Sequence, residues 1–123
     1  MKYFIIGVGG GLGAITRVFL AQLFHVFLHN IPLGIMIVNA IGCFVAGVAS
    51  VWVISNPHSE IVRQFLIPGF LGGVTTFAAF AIDFGQLCER QQYDNVIMYV
   101  VLSIIIPLGC FLLGAKFIRI IFE

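Results

Sequence analysis

Gly69-Phe70-Leu71-Gly72-Gly73-Val74-Thr75-Thr76-Phe77-Ala78-Ala79-Phe80 is the stretch on which the reading of this chain turns. It lies inside an uncharged run from Gln64 to Ile82, which places it at membrane depth. An uninterrupted membrane helix has no use for Gly-Gly followed by three β-branched residues. Gly72 and Gly73 loosen the backbone, and Val74, Thr75 and Thr76 resist a relaxed helix. The pattern predicts a break in the helix at mid-bilayer. Broken backbone at that depth is tolerated where it is buried in protein or lines a polar cavity, and carbonyls freed at such breaks bind cations in transporters. Beyond the break, Phe77, Phe80 and Phe84 recur at helical spacing on one face. The plainer alternative is a glycine notch for helix packing, with a phenylalanine stripe facing lipid or core.

Outward from that stretch the chain is apolar throughout. Of its 123 residues, 61% are hydrophobic and 9% charged, and the mean hydropathy is +1.14. A soluble domain of this size cannot cover its surface with polar groups on such a composition. Val18 to Ser59 holds no Asp, Glu, Lys or Arg, enough for two spans of about 20 residues each. Gln64–Ile82 and Asn95–Ala115 supply two more. The expected fold is all-α, with four transmembrane helices near residues 3–27, 33–54, 61–86 and 96–117. Together they form a single membrane domain over 1–123, without a soluble domain, linker or low-complexity tail. A net charge of +1 makes no case for nucleic acid. Cys43, Cys88 and Cys110 are odd in number and two fall within apolar spans. They read as free thiols rather than a disulfide framework or metal site.

In helix one, Lys2 before an apolar run mimics a signal peptide. The apolar pattern resumes after Arg17, however, and removal would cost the chain a helix. Gly7/Gly11 and Gly9/Gly13 are small-xxx-small pairs that let helix backbones approach closely. Gly9-Gly10-Gly11-Leu12-Gly13-Ala14 also fits the dinucleotide fingerprint, but no βαβ unit follows. Arg17 is an intramembrane cation, hence a functional candidate, or else a structural arginine bound to helix-end carbonyls. His25 and His29, at i and i+4, are either a metal pair or an interfacial pair ending the helix. Asn30-Ile31-Pro32-Leu33-Gly34 makes the turn.

In helix two, Asn39, Gly42, Ala46 and Ala49 share a face. An amide in hydrocarbon is costly unless partnered, so Asn39 either joins helices or offers its NH₂ to a passing anion. The helix stops at Ser55-Asn56-Pro57-His58. Asp83 stands one heptad after Thr76 on the same face, as a functional carboxylate or an interfacial one. Tyr99, Ser103, Pro107, Cys110 and Gly114 fall on one stripe of helix four. Two hydroxyls there can lead a dehydrated ion along the helix, or Ser103 can simply bond its own i−4 carbonyl. Lys2, Arg63, Lys116 and Arg119 lie on the amino-terminal side, against Arg90, with Arg17 as the second. That modest bias puts both termini in the cytoplasm.

With these residues in place, the chain resembles the CrcB/Fluc fluoride channels over essentially its whole length. The matching pieces are Gly9-Gly10-Gly11-Leu12-Gly13-Ala14-Ile15-Thr16-Arg17, then Pro32-Leu33-Gly34 with Val38-Asn39-Ala40-Ile41-Gly42. In helix three they are Gly69 through Phe77 with Phe80, and in helix four Tyr99-Val100-Val101-Leu102-Ser103. The resemblance implies an antiparallel, dual-topology-type dimer of four-helix subunits in the bacterial inner membrane, with fluoride pores. It implies passive export of fluoride from the cytoplasm. It also implies a structural sodium ion (Na+) at the dimer centre, held by backbone carbonyls of Gly72 and Thr75. The anion pathway would comprise Phe77, Phe80, Asn39, Thr76, Tyr99 and Ser103, with Arg17 and Asp83 as further candidates. The partners would be fluoride, the bilayer and a second copy or homologous subunit.

The chemistry suits those residue types. Fluoride is small and strongly hydrated, so it needs substitutes for water. Hydroxyls and an amide NH₂ donate hydrogen bonds, and phenyl rings present a positive edge without the trap of a fixed cation. Conduction needs binding favourable enough for entry and weak enough for exit.

The sequence departs from the family at several positions. Ile35 stands where the family has Thr, Ala78 and Ala79 where it has hydroxyls, and Asp83 where it has Glu; Pro107 offers no hydroxyl either. A thinned polar track leaves open a weakly conducting or non-conducting partner subunit of a heterodimeric channel. A four-helix proton-coupled exporter would want a buried carboxylate in helix one, where only Arg17 is ionised. No nucleophile–base pair or closed metal set points to an enzyme.

Overall fold

Among the described residues, four helices are long and apolar enough to cross a membrane. The structure, a computed structural model, describes residues 1–25, 27–28, 31–56 and 60–122, the side chains of Phe27 and Leu28 excepted. His29, Asn30, Pro57 and His58, which carried part of the metal-pair and turn readings, lie outside the described residues. The first crossing is α1 (Lys2–Leu23), the second α2 (Gly34–Ser55). The third is composite: α3 (Glu60–Gln64), a π-helical segment (Phe65–Leu71), α4 (Gly72–Val74) and α5 (Phe77–Glu89). The fourth is α6 (Tyr93–Phe122).

The ends differ from those read off hydropathy, for local reasons. α1 stops at Leu23 because Phe24 leaves helical geometry (φ −98°, ψ 42°) while its N–H still reaches Leu20 O. Phe27–Leu28 (β1) and Ile31–Pro32 (β2) then pair antiparallel, making a small hairpin of the connection. α6 is longer than the uncharged run at both ends. Asp94 in its first turn complements the helix dipole. Lys116 and Arg119, both exposed, carry flexible stems that lift their charge off the apolar surface. In the third crossing Pro68 sits inside the helix. Proline has no N–H to give and its ring crowds the preceding turn; a π-helical segment accommodates it.

Glycines set the packing. α1 lies against the third crossing so closely that a Cβ on Gly9 would come within 2.5 Å of Phe65 O, and one on Gly13 would fall on the Phe70 carbonyl. Gly73 meets the Gly10 carbonyl in the same way. Gly7 and Gly11, the other small pair of α1, have open space before them. α2 and α6 cross at Gly47 and Gly114, where an added Cβ would strike the Phe111 and Phe44 carbonyls respectively. A buried cluster of Ile31, Met36, Leu87, Val96 and Tyr99 closes one end of the bundle, with Phe80, Leu33 and Cys88 packed on it.

Candidate functional site

Thr75 (φ −85°, ψ 144°) and Thr76 (φ −150°, ψ 129°) are extended, between the short α4 and the start of α5. β-branched residues favour that geometry, whereas Gly72 and Gly73 are themselves helical. The glycines therefore serve close packing at Gly73, and the two threonines are the residues with extended backbone. Asn39 holds Thr76 on both sides: the Thr76 N–H donates to Asn39 Oδ1 at 3.0 Å, and Asn39 Nδ2 donates to Thr76 O at 3.2 Å. Thr76 also caps α5, its Oγ1 accepting from Ala79 N at 3.3 Å. Thr75 Oγ1 donates back to Leu71 O at 2.9 Å.

These bonds decide which carbonyls lose their helical donors. In a continuous helix Gly72 O would accept from Thr76 N, and Thr75 O from Ala79 N. Both donors point elsewhere, to Asn39 and to the Thr76 hydroxyl. Gly73 O is met instead by Arg17 Nε, which donates to it at 3.2 Å. Arg17 is thus bound to a helix-end carbonyl, the structural arm of its two readings. With Thr75 and Thr76 extended, the carbonyls of Gly72, Val74 and Thr75 are all left without helical donors; neutral oxygens of this kind are what hard cations take.

Beside this junction lies a cavity of about 260 Å³, lined by Asn39, Cys43, Thr75, Thr76, Phe77, Phe80, Ser103, Ile104 and Pro107. One end of it is aromatic. The Phe77 and Phe80 ring centroids are 5.2 Å apart and tilted at 53°. Phe80 in turn stacks on Tyr99 at 5.2 Å and 25°. Tyr99 is fully buried, and its hydroxyl donates to Asp83 Oδ2 at 3.1 Å. Ser103 Oγ is shielded and, by hydrogen-bond geometry, has no partner within the described residues; its polar neighbour is the Tyr99 hydroxyl, itself committed to Asp83. An unsatisfied buried hydroxyl is costly, so a ligand that accepts a hydrogen bond gains there. The Thr76 hydroxyl and the second Nδ2 hydrogen of Asn39 are further donors at the same wall. Phe77 is 78% exposed in the single chain.

Asp83 also lines a second cavity of about 250 Å³, with His25, Ile35, Gln86 and Arg90 among its walls. Asp83 and Tyr99 are brought together by the tight turn after α5, where Gln91 takes a left-handed φ of 58°. Of the residues singled out in the sequence, Asn39, Thr75, Thr76, Phe77, Phe80 and Ser103 line the first cavity. Tyr99 stands behind it through Phe80, and Asp83 and Ile35 line the second cavity. Gly72 is exposed. Cys43 and Pro107 had no assigned role and line the first cavity; the helical stripe held Pro107, but nothing in the sequence pointed Cys43 at it.

The comparisons with known proteins agree with one another. Residues 4–115 match the family described as CrcB-like protein, Camphor Resistance (CrcB). A protein named fluoride-specific ion channel FluC from Francisella philomiragia subsp. philomiragia is 36% identical, over 97% of this chain and 95% of that protein. One of the same name from Azobacteroides pseudotrichonymphae is 35% identical, over 92% of each chain. A third, from a Hydrogenobaculum species, is 38% identical over 82% of this chain and 84% of its own.

Proposed function

From the premise that this chain belongs to the CrcB-like family, we propose that it is a multi-pass subunit of a fluoride-selective channel. It lets fluoride leave the cytoplasm down its gradient, across the bacterial inner membrane. The observation that carries this reading is the cavity beside the Thr75–Thr76 junction. There the Ser103 hydroxyl without a partner, the Asn39 amide and two phenylalanine rings converge. Hydrogen-bond donors replace part of the ion's water, and ring edges carry it past without a fixed positive charge that would hold it. Tyr99 and Asp83 fix Phe80 from behind.

On this reading Thr75 and Thr76 interrupt the third crossing at mid-bilayer, and two chains meet there in inverted orientation. Gly72 and Thr75 would hold sodium through their carbonyls, two from each chain, and the ion would supply a fixed positive charge that balances a passing anion without touching it. The exposed Gly72, the 78% exposure of Phe77 and the open faces of Gly7 and Gly11 support a partner at this level. One observation favours the second reading, a weakly conducting partner subunit: Ile35 and Pro107 line the two cavities without a hydroxyl.

The test is fluoride release from liposomes holding this chain, followed with a fluoride electrode. Phe77→Ile and Phe80→Ile remove the ring edge and keep an apolar side chain. Each is expected to cut flux by about fivefold, the scale of losing one interaction of roughly 1 kcal/mol. Unchanged flux in both would refute the assignment. Ala78→Ser with Ala79→Thr is expected to raise flux; no gain would show the missing hydroxyls to be dispensable.

A further inference from the structure

Cys43 and Cys110 take no part in the function above, yet the register of α2 on α6 brings them to the same level of the two helices. The register of the two helices can be read along their length. Asn39 and Ser103 line one cavity together, Gly47 and Gly114 mark the crossing, and Trp52 and Ser55 share a groove with Arg119 and Phe122. The helices therefore run parallel and in step. Cys43 precedes Gly47 by four residues, and Cys110 precedes Gly114 by four. Each cysteine is thus one turn before its crossing glycine, on the same face. At that crossing the backbones touch, and Cys43 shares a cavity wall with Pro107 of α6, one turn before Cys110. Both thiols are free and half-buried.

We propose that Cys43 and Cys110 form a two-sulphur site for a divalent soft metal ion of the mercury(II) type, on the wall of the cavity that Phe77, Phe80 and Ser103 line. The donor set selects the ion. Among the described residues no third His, Cys, Asp or Glu joins a metal-binding group, so four-coordinate zinc is not served. Two thiolates suit a thiophilic ion content with two ligands. The surroundings select the charge: a divalent ion with two thiolates is neutral, and only a neutral complex avoids the penalty of burying charge in an apolar span. On binding, each S–H bond gives its proton to water and a sulphur–metal bond forms in its place. Two protons leave per metal ion, with no change of oxidation state. Because Cys43 lines the anion cavity, the bound metal obstructs it; this last clause rests on the channel reading, and the binding itself does not.

The test uses the purified chain in detergent, loaded with one equivalent of mercuric chloride and then washed with excess small monothiol. Bound mercury is measured by atomic absorption. Two linked thiols outcompete a free one by roughly 100-fold through effective concentration. The chain and its Cys88→Ala variant are expected to retain one metal ion. Cys43→Ser and Cys110→Ser, checked as folded by circular dichroism, are expected to retain about 100-fold less under the same wash. Retention unchanged in either serine variant, or no retention by the parent chain, would overturn the site. In liposomes the metal is expected to lower fluoride flux by about tenfold in Cys88→Ala and to leave Cys110→Ser unaffected. Retained metal with undiminished flux would keep the site and remove its place on the anion path.

Discussion

Asn39 carries two burdens at the residue scale. Both its amide atoms are bonded to the backbone of Thr76, so it ties α2 to the junction of the third crossing. It also faces the cavity. Of its two sequence readings, helix tie and anion donor, the first is met by these bonds and the second is left to one remaining hydrogen. Asn39→Ala strands the Thr76 N–H, while the Thr76 carbonyl keeps the first bond of α5; an unmet group of this kind costs about 1–3 kcal/mol. The expected result is a fall of several degrees in thermal midpoint in detergent, with flux lost alongside. A midpoint equal to that of the parent chain would show that the tie is dispensable. The two glycines of the deciding stretch are expected to separate. Gly73→Ala forces a Cβ onto the Gly10 carbonyl, while a Cβ at Gly72 meets only Ile67 O, at an ordinary 3.6 Å. Overpacking of that kind costs about 1–3 kcal/mol. Thermal unfolding is expected to show Gly73→Ala clearly less stable and Gly72→Ala close to the parent; the reverse order would contradict the packing.

Elements show how far the sequence could be read. The four apolar helices were legible because hydropathy over a span is a sum that a few polar residues cannot hide. Their ends were not, since Phe24, Asp94 and Arg119 act through local geometry, dipoles and flexible stems rather than through charge alone. The π-helical segment around Pro68 was invisible to periodicity, which assumes one helical repeat. Asn39, Ser103 and the phenylalanines could be named as candidates, because an amide or hydroxyl in hydrocarbon stands out. Their meeting around one cavity depends on how α2, α5 and α6 pack, and so does the bond from Tyr99 to Asp83. No spacing rule reaches across the turn at Gln91. Glycine pairs were legible as packing devices, but only the structure separates Gly9/Gly13, pressed against the third crossing, from Gly7/Gly11, which face open space.

At the scale of the whole molecule, that free glycine face belongs to the proposed second chain. A Cβ on Gly11 meets nothing within 4 Å among the described residues, so the fold is expected to survive Gly11→Leu. A bulky side chain there holds helices apart, and the fraction of dimer in detergent, measured by size exclusion with light scattering, is expected to fall. An undiminished dimer would move the contact to another face. The central claim is that the cavity beside Thr75 and Thr76 conducts fluoride and excludes larger, less hydrogen-bond-hungry anions. The most direct measurement is anion release from liposomes reconstituted with this chain alone, loaded in parallel with fluoride and with chloride. Fluoride is expected to drain while chloride stays, and Ser103→Ala is expected to slow the fluoride. Equal release of both anions, or no fluoride release above protein-free liposomes, would contradict the account.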